Sequence, residues 1–104
     1  MATREVTVVR VYLREGEHLL GKIVKFLHDE AKVRGVTVLR GIEGFSENGA
    51  IRTAFLVDLS LDLPLVVEFF DDPPKAEQVI AMLIDELHLT HIVSWPARVH
   101  SRIA

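Results

Sequence analysis

GVTVLRGIEGFSENGAIRTAFLVDLSLDLPLVVEFF, residues 35–70, reads as strand, glycine-marked loop, strand, turn, strand. Residues 36–43 carry Val36, Val38, Leu39 and Ile42 and have strand character. The loop from Gly44 to Ala50 follows, then a strand over 51–59, a turn from Ser60 to Pro64, and a strand over 65–70. Pro64 suits a strand start, where no ladder amide is needed. Gly41, Gly44 and Gly49 let the backbone turn sharply or approach another group closely. The stretch predicts a β-β unit elaborated by a loop and hairpin.

Working outward, residues 5–13, EVTVVRVYL, are β-branched and aromatic and read as a first strand. From His18 to Arg34 the apolar residues Leu19, Leu20, Ile23, Val24, Leu27 and Ala31 recur at helical spacing, and Gly35 reads as the helix stop. After residue 70, Asp72 is a candidate cap and the two prolines behind it fit a first helical turn. Ala76, Val79, Ile80, Leu83, Ile84 and Leu87 then form one apolar stripe. Residues 91–103 return to extended character.

The order is β-α-β-β-α-β, which predicts an α+β ferredoxin-like sandwich in a single domain spanning 1–104. Two helices should cover one face of an antiparallel sheet. The strands, however, are apolar on both faces. In the first, Thr7, Val9, Val11 and Leu13 alternate with Val6, Val8, Arg10 and Tyr12. A sheet with one wet face alternates more cleanly. The second face is therefore expected to pack on another subunit.

Composition narrows the function. With 104 residues, 26% of them charged, the chain suits one globular core. No apolar run approaches the roughly 20 residues of a membrane span, and the N-terminus reads as a strand rather than a signal peptide. Twelve basic and 15 acidic residues leave a net charge of −3, which argues against a nucleic-acid partner. The absence of cysteine removes disulfides, thiol nucleophiles and thiolate metal sites, and fits a cytoplasmic location.

Four features carry candidate chemistry. Arg40-Gly41-Ile42-Glu43-Gly44-Phe45-Ser46 could set backbone amides and a guanidinium around an anion, although it is neither a Walker loop nor a dinucleotide fingerprint. By spacing alone, turn geometry explains the glycines as well. Glu68 interrupts an apolar run and needs a basic partner or a ligand. Arg98 and Arg102 share one face of the last strand, either as a solvated face or as a reach to a phosphate on a neighbouring subunit. His88 and His91 could bind a metal if a third ligand joined them; otherwise His88 ends the second helix. No nucleophile, base and orienting residue come together, so an enzyme is not expected.

The Leu-Arg-Gly-x-x-Gly-Phe run at 39–45, followed by Leu-Ser-x-Asp-Leu-Pro at 59–64, resembles the PII-like family catalogued as domain of unknown function 190. The resemblance covers nearly the whole chain. More distantly, Gly35-Val36-Thr37-Val38, Gly44-Phe45 and Glu68 are similar to features of the PII nitrogen-regulatory signalling proteins. It implies a homotrimer that binds an adenine nucleotide (AMP, ADP or ATP) or a related small ligand in clefts between subunits. No obligatory cofactor is implied. A loop would report the ligand to a protein target, such as a membrane transporter.

By the same resemblance, Thr37 and Glu68 would lie near the base, and Gly44, Phe45 and Ser46 near the phosphates. By their own position, near the loop or on a common strand face, Arg40 or Arg98 would supply the anion contact. The chain departs from the family where Ser46 replaces a glycine and Arg52 replaces a histidine. Its loop is shorter than the PII effector loop, and residues 88–95 hold no Gly-rich phosphate loop. AMP or another small anion is therefore as good a candidate as ATP. A trimeric adaptor that binds only protein, and a histidine-dependent metal-tolerance factor, are the alternative readings.

Overall fold

In a computed structural model, residues 2–45, 52–53 and 63–102 are described, the pair 52–53 by backbone alone. Strand β1 (Ala2–Arg14) is the spine. Its Val9, Val11 and Leu13 are buried and point to one side. On one flank they meet Phe69, Val67 and Leu65 of β5 (Pro64–Asp71), in antiparallel register. On the other flank runs β6 (Ile92–Ser101), also antiparallel, with Val11 opposite Ile92. Strand β2 (Thr37–Arg40) adds to the outer edge of β5, giving the order β2-β5-β1-β6. This is the ferredoxin-like order expected from β-α-β-β-α-β.

The expected hairpin elaboration is present as a two-stranded ribbon, β3 (Glu43–Gly44) paired with β4 (Arg52–Thr53). Most of the strand expected over 51–59, part of the turn from Ser60 to Pro64, most of the loop from Gly44 to Ala50, and Ser46 itself lie outside the described residues.

Helices α1 (Leu20–Asp29) and α2 (Pro73–Leu87) cover the side to which Val9 and Val11 point. They contribute Ile23, Phe26 and Leu27, and Ala76, Val79 and Leu83, to one continuous core. Burying a Val, Leu, Ile or Phe side chain contributes about 1.5–3 kcal/mol each, and Ala76 adds less. Among the described residues no helix is long and apolar enough to cross a membrane.

Helix boundaries differ from expectation for local reasons. α1 stops at Asp29, five residues before Arg34, and the chain turns at Lys32, whose φ is 54°. The amides of Glu30 and Ala31 still donate to the Phe26 carbonyl, and Val33 donates to that of Leu27. Gly35 is therefore not the stop; a lysine in the left-handed region does that work. α2 begins where expected, yet the Asp72 side chain makes no capping bond. Pro73 and Pro74 supply no amide hydrogens, so the first turn has fewer donors to satisfy. The Asp72 carboxylate instead meets Arg4 at 3.3 Å. At the other end His88 takes a left-handed φ of 56°, ending α2 as one of its two readings had it.

The face of the sheet away from the helices carries Val8, Arg10 and Tyr12 on β1. Val66, Glu68 and Phe70 lie beside them on β5, Val93 and Trp95 on β6, and Leu39 on β2. Tyr12, Leu39, Phe70, Val93 and Trp95 are each 38–49% exposed. No described element covers them. The two-faced apolar pattern of the strands is thus an exposed apolar sheet face.

Candidate functional site

A cleft of about 740 Å³ lies where β1 ends, β2 ends and β5 begins. That volume is within the usual range for small-ligand pockets. Tyr12, Leu13 and Arg14 form one wall, and Leu39, Arg40 and Gly41 another. Pro64, Leu65 and Val66 form the floor between them; Glu43, Gly44 and Phe45 rise from the ribbon, and Glu17 and His91 close the rim. Tyr12, Leu39 and Val66 also belong to the uncovered sheet face, so the cleft opens along its border.

The glycines at this site serve close approach. The Gly41 amide donates to the Pro64 carbonyl at 2.7 Å. A Cβ on Gly41 would stand 2.7 Å from Pro64 Cγ and 3.4 Å from its carbonyl oxygen; one on Gly44 would stand 3.1 Å from the same Cγ. Neither glycine has a positive φ, so turn geometry is not what selects them. Gly41→Ala should push the β2 end off β5 and cost about 1–3 kcal/mol, the usual range for overpacking. Chemical denaturation measures this directly, and an unchanged midpoint would refute the contact's importance.

Arg40 is held by a carboxylate. Its Nε donates to Glu15 Oε1 at 2.8 Å. The same oxygen accepts the Leu63 amide at 3.2 Å, while the Glu15 amide donates to the Leu63 carbonyl at 3.0 Å. Glu15 therefore ties the turn Glu15–Glu17 after β1 to the start of β5, with Arg40 bound to the knot. Next to it, Glu17 accepts the Arg14 amide at 2.8 Å and lies 3.9 Å from the Arg14 guanidinium.

Glu68 has the basic partner that its surroundings demand. Arg10 Nε donates to Glu68 Oε1 at 2.7 Å, and the guanidinium sits 5.7 Å from the centre of the Trp95 ring. The bond to Glu68, followed by one to Tyr12, raises the Arg10 pKa above its already high ordinary value. Glu68 faces Arg10 on one side and Thr37 on the other.

The residues singled out in the sequence thus fall into groups. Arg40, Gly41, Gly44 and Phe45 line the cleft. Thr37 and Glu68 oppose each other on the uncovered face, three positions along the ladder from Arg40 and Leu65. Arg98 lies opposite Glu5, toward the other end of β1, and does not line the cleft of its own chain. Ser46 lies outside the described residues. His91 is at the cleft rim, and His88 makes the left-handed turn after α2. Among the described residues no group of three or more histidines and carboxylates could hold a metal. Sequence reading missed Glu15, because its partner Leu63 is 48 residues away. It also missed Pro64 as the reason for two glycines.

Known proteins agree with this architecture. A 35%-identical stretch of 77 residues aligns with a UPF0166 protein of Aquifex aeolicus (strain VF5), covering 70% of this chain and 73% of that one. The fold matches CPII, a nitrogen regulatory PII-like protein from Thiomonas intermedia K12 solved with ADP, AMP and bicarbonate. The TM-score is 0.67 at 13% identity, over 98% of this chain and 94% of that one. A second CPII structure, bound to ADP and bicarbonate, matches with a TM-score of 0.64 at 15% identity, over 94% and 89%. At these identities the matches establish a PII-like, ferredoxin-like fold. Residues 6–99 match the family model of domain of unknown function 190, described as an uncharacterized ACR. On that match, the chain belongs to the domain-of-unknown-function-190 family.

Proposed function

We propose that this chain is a non-catalytic PII-like regulatory protein. It assembles as a homotrimer and binds an adenine nucleotide, or a related small anion, in clefts between its subunits. The observation that carries the reading is the cleft beside Arg40, bordered by the uncovered apolar face. A second copy packed on that face would close the cleft from its open side. Arg40 supplies a guanidinium for a phosphate, and the exposed ring of Phe45 offers a surface for a base. That CPII, of the same fold, was solved with ADP, AMP and bicarbonate supports an adenine nucleotide or a small anion as the ligand.

Calorimetric titration with AMP, ADP and ATP tests the ligand, and native mass spectrometry tests the trimer. Arg40→Ala removes one charge-assisted contact of roughly 1.5–3 kcal/mol and should weaken nucleotide binding about 10- to 100-fold. Undiminished affinity in that variant would remove Arg40 from the site.

The exposure of Ile42, at 68%, and Phe45, at 76%, favours a second reading in which this corner docks a protein target. Partner capture that persists without nucleotide, and is lost on Phe45→Ala, would mark the chain as an adaptor.

A further inference from the structure

Both guanidinium groups in the cleft wall face carboxylates of their own chain: Arg14 beside Glu17, Arg40 on Glu15. An arriving anion must therefore compete for them. The Arg40 pair matters most, because its carboxylate has a second duty. The oxygen that holds Arg40 Nε at 2.8 Å also accepts the Leu63 amide at 3.2 Å. With Arg40 52% and Glu15 26% exposed, solvent weakens the pair enough for exchange.

We propose that Glu15 is a positioning residue that competes with the ligand for Arg40. In this view, which rests on reading the cleft as an anion site, a phosphate takes the guanidinium from Glu15. The released carboxylate then regains water and loosens its hold on Leu63. Occupancy of the cleft is thereby reported at Leu63, just ahead of β5. The ligand and Glu15 bind one cation in turn, so each weakens the other by the same factor.

The sign of the effect separates this role from a merely structural one. Glu15→Gln keeps an oxygen for the Leu63 amide and nearly the same shape, but removes the competing charge. Losing an exposed ion pair and a nearby like charge should tighten binding of pyrophosphate and of AMP about three- to tenfold at low salt. The gain should shrink as added salt screens it. A residue that only held the fold together would weaken binding when altered. In the Arg40→Ala background, Glu15→Gln should keep only the smaller gain that removal of a like charge gives.

The experiment combines calorimetry with amide hydrogen exchange. In the wild type, saturating pyrophosphate should speed exchange at Leu63. In Glu15→Gln that amide should exchange faster without ligand and respond no further. Unchanged or weaker binding by Glu15→Gln overturns the proposal, as does a gain that Arg40→Ala leaves undiminished. Heat from AMP with no change at Leu63 overturns the coupling and leaves the nucleotide reading standing. A response to pyrophosphate with no heat from any adenine nucleotide supports the competition and sinks the nucleotide reading. If neither ligand binds, both fall.

Discussion

On the proposed trimer, with the uncovered sheet face as its subunit contact, Phe70→Glu should leave a folded monomer. Phe70 lies on the uncovered sheet face beside Val8, and Trp95 continues the surface from β6. In an assembly each copy would lose the burial of an aromatic ring, about 1.5–3 kcal/mol. Each would also place a carboxylate against apolar surface, with a desolvation cost of several kcal/mol. Every 1.4 kcal/mol is a tenfold change in the dissociation constant. The substitution should therefore shift assembly by several orders of magnitude. The pair Arg10–Glu68 does not weaken this expectation. It is already satisfied within one chain, so covering it adds desolvation and little attraction. The apolar neighbours must supply the association energy. Native mass spectrometry of Phe70→Glu at micromolar concentration is the check, with circular dichroism to confirm the fold. A variant with the assembled mass of the wild type would place the subunit contact elsewhere.

Phe69→Ala, one residue earlier, should act on the monomer instead. Successive strand residues point to opposite faces, so Phe69 enters the core that Phe70 avoids. Its side chain is fully buried opposite Val9, against the layer formed by α1 and α2. Removing the ring from such a site costs about 3–5 kcal/mol, through lost burial and a residual cavity. Domains of this size have total stabilities of roughly 5–15 kcal/mol, so the variant should be partly unfolded at mild denaturant. Urea titration of the two variants should separate them: a large loss for Phe69→Ala and a small one for Phe70→Glu measured as a monomer. A loss under about 1 kcal/mol for Phe69→Ala would contradict the packing, since even small core truncations reach that range.

Much of the fold was legible because the signals are local. The β-branched and aromatic run of β1, the apolar run LVVEFF of β5, and the helical spacing of the apolar residues from Leu19 to Ala31 and from Ala76 to Leu87 are each read within one short stretch of chain. The apolar residues on both strand faces led to an expected subunit contact, and the face concerned is one that no described element covers. The helix ends were less legible. Lys32 takes a left-handed conformation that glycine usually fills, and Asp72 stands at a cap position where two prolines leave fewer donors to satisfy. The cleft was legible only in part. Arg40, Gly41, Gly44 and Phe45 form one sequence run and one wall, whereas Glu15 and Pro64 reach it from distant segments. Glu15 sits in Arg14-Glu15-Gly16-Glu17, which reads only as a break after a strand. Contacts across 25 or 48 residues leave no periodic trace.

Pro64 gives two glycines a common cause. Its ring, through one Cγ, bars a side chain at position 41 and crowds one at position 44. The three positions are therefore not independent during sequence drift. A chain that first lost the ring at 64 would be freer to accept side chains at 41 and 44. A chain that kept it would be held to glycine at 41, and less strictly at 44, even if no ligand ever entered the cleft. Glycine at these positions in a relative thus testifies to what stands at 64, and a phosphate site has to be argued from the charges around it.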